Sequence, residues 1–257
     1  MEHLEVDVQD GVATVTFCRP PVNALTRQVL TDLAMLFDSF AEDRSVTVAV
    51  FRTEGDRAFI AGVDLKDVAV PPSDSPRELI DVGLPAREAF RALHECAVPV
   101  IAPVKGPAIG GGVALVACCD IIVASDTATF GLTEINMGLL GASSHLVRML
   151  GPYKAREMFL TGRMAPASEL AALGAISQVV PTAELHATAD ALARDLAAKS
   201  PLALRLAKES MNRAEGLHFL EGYRLEQDYT ARLMKLDDSR EAREAFLQKR
   251  KPVWRWR

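Results

Sequence analysis

The chain has 257 residues, enough for one large domain or two small ones at ~150 residues per domain. Hydrophobic residues make up 49% and charged residues 25%, with 16 glycines and 14 prolines, which excludes collagen-like, low-complexity and wholly disordered chains. The net charge of −5 gives no global attraction to phosphate backbones, so nucleic-acid binding would need a local basic patch.

One such patch lies at the end of the sequence: Lys249, Arg250, Lys251, Arg255 and Arg257, interleaved with Trp254 and Trp256. A solvated tail is the plainer reading of it. The four cysteines, Cys18, Cys96, Cys118 and Cys119, show no zinc spacing. Cys118 and Cys119 sit in an apolar run and read as small buried hydrophobes. The first ten residues carry acidic groups and no apolar signal segment, and no run reaches the ~18 apolar residues of a membrane span. These features predict a soluble, cytoplasmic protein with reduced thiols, no metal and no membrane partner.

In chain order, Leu4-Val6-Val8 and Val12-Val15-Phe17 flank Asp10-Gly11, a hairpin signature. Arg19-Pro20-Pro21 ends the ribbon, because proline cannot continue the ladder. Thr26 caps a predicted helix from Arg27 to Glu42, with apolar residues at helical spacing. Val46 to Phe51 reads as a strand. Residues 68–76, with their prolines and serines, read as a loop, and a helix is predicted over 77–96. Strands are predicted at 100–104, 120–123 and 129–130, with a small-residue helix at 113–119. Beyond Gly141 helices dominate, with periodic runs at 183–199, 202–214 and 217–235. The pattern predicts an α/β fold with a helical C-terminal part, divided at 1–200 and 201–257.

Three segments carry candidate chemistry. Gly110-Gly111-Gly112 stands between a strand and a helix, where free N–H groups and the helix dipole favour negative charge. The spacing is not that of a dinucleotide or P-loop motif, so an oxyanion site fits better than a phosphate site. Each well-aimed donor there is worth about 2–4 kcal/mol, and close helix packing is the alternative reading. Ala61-Gly62-Val63-Asp64 offers a second loop N–H, with Asp64 placed to cap a short helix. Glu134 lies in the apolar, glycine-punctuated run Phe130 to Gly138, where burial would raise its pKa toward the range useful for proton transfer. An exposed loop glutamate is the alternative.

Taken together, these blocks resemble the crotonase superfamily, the enoyl-CoA hydratase/isomerase family. The resemblance rests on Arg19-Pro20-Pro21-Val22-Asn23-Ala24-Leu25, Phe59 to Lys66, Pro99 to Gly106, the triple glycine, Cys119 to Ala124 and Phe130-Gly131-x-x-Glu134-Ile135. Leu160-Thr161-Gly162-Arg163 and Ala172 to Ile176 extend it over nearly the whole chain. It implies a crotonase-like (ClpP/crotonase) α/β spiral of ββα units with a helical C-terminal part. It also implies a homo-oligomer, a trimer or a dimer of trimers.

By resemblance, the amides of Val63 and Gly111 hold an acyl-CoA thioester oxygen, and Glu134 is the catalytic acid/base. Arg19, Ala24, Ala61, Asp64 and Lys66 become candidates for substrate and CoA contacts, and Phe246 and Lys249 for the adenine and phosphate end. Ala114 stands where standard hydratases carry a second glutamate, at a substrate-facing position. Coenzyme A enters as part of the substrate, with no separate cofactor. Hydration of a 2-enoyl-CoA, or a related lyase step, leads; isomerisation of a 3-enoyl-CoA follows, because alanine cannot hold water. A binder of acyl-CoA or RNA with little catalysis is the reading from another class. Asn136, Ser143, Ser144 and His145 are further polar groups in the region, His145 reading most simply as a first-turn residue of a helix. His94 reads as a surface residue, and Tyr223 and Tyr229 as packing residues.

Overall fold

In the computed structural model, which describes residues 1–69 and 81–257, strands β1 (Leu4–Gln9) and β2 (Val12–Phe17) form the expected hairpin. Asp10 and Gly11 take φ of +50° and +82°, the two left-handed residues that match a tight turn to the twist of the strands. Helix α1 (Arg27–Ser39) follows, with the Thr26 hydroxyl accepting the Val29 N–H at 3.2 Å. Its buried face carries Val29, Leu30, Leu33, Leu36 and Phe37. Strand β3 (Val48–Thr53) then pairs parallel to β2. A chain of edge-to-face rings, Phe37, Phe51 and Phe59, joins α1 to β3 and the loop beyond it.

After the short helix α2 (Leu65–Ala69), helix α3 runs over Leu84–His94 and packs on α1. The predicted loop over 68–76 and the start of the predicted helix at 77 fall mostly outside the described residues. Residues 82 and 83 form a turn, which interrupts the predicted helix before Leu84. Strands β4 (Val100–Val104), β5 (Pro107–Ile109), β6 (Ile121–Ser125), β7 (Thr129–Gly131), β8 (Ala165–Pro166) and β9 (Gln178–Val180) complete two sheets. The larger runs β1-β2-β3-β4-β6-β9, parallel throughout except for the first hairpin. The smaller runs β5-β7-β8.

Helix α4 (Gly111–Cys118) is buried along its whole length, which requires its Gly, Ala, Val, Leu and Cys composition. Helix α5 (Ser143–Thr161) bends at Gly151 before Pro152, and α6 (Ala167–Ala172) follows β8. Helix α7 (Leu185–Ala197) covers the second face of the large sheet, where Leu185, Ala189 and Ala193 meet Val48, Val50, Ile101 and Val123. Burial on both faces explains why β3 and β4 read as continuous apolar runs rather than alternating ones.

Helices α8 (Pro201–Ala214), α9 (Phe219–Leu233) and α10 (Asp237–Leu247) end the chain. Helix α10 lies in the part expected to be helical, beyond the periodic runs singled out there. Helix α8 is anchored by Lys208, whose side chain is 5% exposed and donates to Asp120 at 2.6 Å and to the carbonyls of Val98 and Leu93. Asp120 also accepts the Val100 N–H at 2.7 Å, so one ion pair ties the C-terminal helices to the start of β4.

The basic tail is not a free solvated arm. Buried Asp238 accepts the N–H groups of Arg255 and Trp256 at 2.8 and 2.9 Å. Arg250 pairs with Glu241, the Trp254 indole donates to the Ala198 carbonyl, and Arg205 stacks 5.0 Å from the Trp256 ring centre. Of the tail's five cations, Arg250 is paired with Glu241 and Arg257 lies 3.6 Å from Asp237. His94 is half-buried rather than a plain surface residue, with its pKa lowered by burial and then by Arg148. Tyr229 is buried as expected, whereas Tyr223 is 52% exposed. The three thiols at Cys96, Cys118 and Cys119 are buried, and burial pushes Cys118 up to about 12, which suits core packing and not nucleophilic chemistry.

Removing one partner of a buried ion pair leaves a charge without compensation. Lys208→Ala is therefore expected to lower the unfolding free energy by about 3 kcal/mol in urea denaturation. A loss under about 0.5 kcal/mol, the size of a surface change, would show that the pair does not anchor α8.

Candidate active site

Two loops and one short helix meet at the N-terminus of α4. The first loop, 19–25, is held by Asn23, which is buried at φ +54°. Its amide donates to the carbonyls of Glu54, Ala58 and Phe59, and its oxygen accepts the Arg19 N–H at 2.8 Å. The sequence marks Asn23 only by its place after two prolines, so its role as a clamp was missed. The loop then forms a parallel bridge from Leu25 to Val63.

That bridge decides which amides are free. The Leu25 N–H donates to the Gly62 carbonyl, and the Asp64 N–H donates to the Leu25 carbonyl, each at 2.8 Å. In a parallel bridge the residue between these two points its own N–H the other way. The Val63 N–H accordingly has no hydrogen-bond partner among the described residues. Gly111, as the first residue of α4, likewise has no intrahelical acceptor for its N–H. A Cβ placed on Gly111 would lie 3.9 Å from the Val63 nitrogen, and one on Gly62 4.0 Å from the Gly111 nitrogen. The two unpaired donors are thus neighbours.

Glu134 begins a 3-10 turn, Glu134–Met137, just beyond β7. Its carboxylate lies over the Cα of Gly110: a Cβ there would stand 3.1 Å from the Glu134 carboxyl carbon and would collide with its Oε1. Gly110 also takes φ +55°, and its N–H donates to the Gly131 carbonyl at 3.0 Å. Gly112 is needed for a second close approach, because a Cβ would come within 2.5 Å of the Ile60 carbonyl. The triple glycine therefore serves packing and site geometry at once.

Glu134 is half-buried, and its Oε2 is buried with no hydrogen-bond partner among the described residues. Burial raises its pKa above the ordinary carboxylate value. The geometry joins one proton-transfer group to two amides able to hold an oxyanion.

The remaining residues sort clearly. Arg19 pairs with Asp64 at 2.8 Å and donates to the Ala24 carbonyl at 3.1 Å. The Arg19 bond, followed by the Lys66 backbone N–H, holds the Asp64 carboxyl below its usual range. The Ala61 N–H donates to the Val22 carbonyl. Arg19, Ala24, Ala61 and Asp64 are thus brought together beside Val63, with exposed Lys66 next to them. Arg19 and Asp64 first of all hold the two loops to each other.

Phe246 and Lys249 are exposed at the end of α10, and among the described residues no hydrogen bond or ion pair ties them to these loops. Ala114, expected to face substrate, is fully buried within α4, because neighbouring helices and β5 enclose that helix. His145 is half-buried with its ring centre 4.9 Å from that of Phe90, and burial, followed by Arg148 and His94, lowers its pKa. Its place in the first turn of α5 is as expected. Among the described residues no group of three or more His, Cys, Asp or Glu is placed to hold a metal ion.

Comparison with known proteins gives the family. The family described as Enoyl-CoA hydratase/isomerase matches residues 7–257. The chain belongs to the enoyl-CoA hydratase/isomerase family. Among its relatives is a (7aS)-7a-methyl-1,5-dioxo-2,3,5,6,7,7a-hexahydro-1H-indene-carboxyl-CoA hydrolase of Rhodococcus jostii (strain RHA1), 38% identical over 95% of this chain and 93% of that protein. A probable enoyl-CoA hydratase of Mycobacterium bovis is 34% identical over 98% of this chain and 97% of that one. The crystal structure of an enoyl-CoA hydratase from Mycobacterium smegmatis superposes with a TM-score of 0.90 at 33% identity, covering 98% of each chain. The architecture is the crotonase fold expected from the sequence motifs, and the protein is an enzyme of the crotonase family acting on CoA thioesters. Among the described residues no helix is long and apolar enough to cross a membrane.

Two tests follow. Gly110→Ala forces the Glu134 carboxylate aside, and misplacement of a reacting group by about 1 Å costs on the order of a hundredfold in rate. The variant is expected to lose at least that much turnover while keeping its circular dichroism spectrum. Because the folded-state pKa of Glu134 is raised, its ionisation weakens the fold: there is no penalty below the unfolded value, and stability is lost as pH rises through the folded value. Glu134→Gln is therefore expected to raise Tm near neutral pH and to change it little at about pH 4. An equal shift at both pH values would contradict this.

Proposed function

We infer that the protein adds water to an acyl-CoA through a thioester enolate, with Glu134 as its one acid/base. The observation that carries this reading is the unpartnered Glu134 carboxylate resting on Gly110, beside the amides of Val63 and Gly111. With the thioester oxygen held between those amides, charge that develops on it meets fixed dipoles. Glu134 takes a proton from water and returns it to the α-carbon. In the leading form water adds to C3 of a 2-enoyl-CoA.

A second form is favoured by a specific observation. The buried Ala114 gives the site no second carboxylate, and the Rhodococcus relative is named a hydrolase of a cyclic dioxo carboxyl-CoA. On a β-oxo acyl-CoA the same Glu134 would deprotonate water for attack on the ketone. The C–C bond would break, its electron pair would become the thioester enolate, and Glu134 would protonate that carbanion. Either form needs CoA only as part of the substrate and no further cofactor. Exposed Lys66 would meet a CoA phosphate as a flexible point charge. Phe246 and Lys249, exposed and not bonded to this chain's own site loops among the described residues, would serve the CoA end of a neighbouring subunit in a homotrimer or a dimer of trimers.

Turnover in heavy-oxygen water, read by product mass, tests this reading. A 2-enoyl-CoA, a cyclic β-oxo acyl-CoA and a 3-enoyl-CoA are supplied in parallel. Label entering the first or second, and lost in Glu134→Gln, is the expected outcome and separates the two forms. Rearrangement of the 3-enoyl-CoA without label would replace the reading with isomerisation. Binding of all three without turnover would leave a non-catalytic acyl-CoA binder.

A further inference from the structure

The 3-10 turn that begins with Glu134 is braced from both sides by one loop, Gly162-Arg163-Met164, at the end of α5. On the upstream side Gly131 packs so closely on this loop that a Cβ would stand 2.9 Å from the Arg163 carbonyl and would strike the Met164 sulfur. On the downstream side the Asn136 amide covers Gly162. A Cβ on Gly162 would lie 2.6 Å from both its nitrogen and its oxygen, and its Nδ2 donates to the Gly162 carbonyl at 3.3 Å. Gly162 itself takes φ +61° as the C-cap of α5, so glycine is favoured there twice over.

The brace is itself pinned. Arg163 spans Glu157 and Glu169, with contacts of 2.5 and 2.6 Å, and Lys154 joins the same two carboxylates. These four charges fix the loop against α5 and α6. Within the turn, the Asn136 N–H donates to the Thr133 carbonyl and the Leu139 N–H to the Glu134 carbonyl, each at 3.0 Å. The Asn136 side chain thus belongs to the same rigid turn as Glu134, two residues away.

We propose that Asn136 is a positioning residue for Glu134, using its contact with Gly162 to hold the turn so that the carboxylate stays over Gly110. This rests on Glu134 being the acid/base, and it assigns to Asn136 a role other than substrate contact. Oxygen and nitrogen of the Asn136 amide are both within van der Waals reach of the Gly162 position, so the amide fills the space a side chain would take. Shortening it opens that space and frees the turn. Enlarging Gly162 pushes the turn from the other side. Either change lets the carboxylate swing toward water.

The test compares Asn136→Ala, Gly162→Ala and Glu134→Gln with the full-length wild type. Carbon NMR of glutamate carboxyls follows the titration of Glu134, assigned by the signal missing in Glu134→Gln, and needs no substrate. In both positioning variants the Glu134 titration is expected to move down toward the ordinary carboxylate range. With a short-chain 2-enoyl-CoA as probe, kcat is expected to fall about tenfold while KM stays within about twofold. An unmoved Glu134 titration in a folded Asn136→Ala protein would overturn the proposal. So would a change confined to KM, which would make Asn136 a substrate contact. If Glu134→Gln keeps full turnover the acyl-CoA reading of Glu134 fails, and the NMR comparison still decides whether Asn136 positions it.

Discussion

The Glu134 carboxylate rests on a backbone that has no Cβ, and this contact governs the site. Burial raises the pKa of this carboxyl group, and its Oε2 has no partner among the described residues. The same closeness brings it to the end of α4 where the Gly111 N–H is free. A half-buried carboxyl group of raised pKa and an unpaired backbone N–H are thereby placed on consecutive parts of one surface. Replacement of Gly110 by any other residue would separate them.

The rest of the fold holds that contact in place. The bond from the Gly110 N–H to the Gly131 carbonyl links the glycine loop to the segment that carries Glu134. The Leu25–Val63 bridge turns the Val63 N–H away from Leu25, and Asn23 with the Arg19–Asp64 pair fixes the loops that make the bridge. Behind them the parallel sheet is buried on both faces, and α4 is enclosed. A packed interior holds the two unpaired amides in fixed positions, and fixed dipoles need no reorganisation to meet a developing charge. Further out, Lys208 and Asp120 join the C-terminal helices to the start of β4, so the helical part is tied to the core through one buried charge pair.

Much of this was legible in the sequence. The Asp10-Gly11 turn, the Thr26 cap, the buried strands and the order of elements follow from local chemistry that each segment carries by itself. The motif around Val63, Gly111 and Glu134 was legible because it depends on contiguous residues. The bounds of α10 were not marked by an apolar period, because its sequence is strongly polar, and the turn at residues 82 and 83 was not foreseen. The basic tail looked free because its partners, Asp238, Glu241, Ala198 and Arg205, lie far from it in sequence or on another face. The complete burial of Ala114 could not be read from the sequence, because it depends on which elements surround α4.

The sequence alone determined the alternation of strands and helices, the family motifs and the residue types at the site. Those are properties of short segments, set by turn geometry, apolar periodicity and the lack of a side chain at glycine. Only the tertiary structure decided that the Val63 N–H is unpaired, that Glu134 lies on Gly110 and that Asn136 covers Gly162. Each of these depends on distances between residues tens of positions apart or on which side of a bridge a group faces. Desolvation of a carboxylate is likewise a property of the packed neighbourhood and not of the residue.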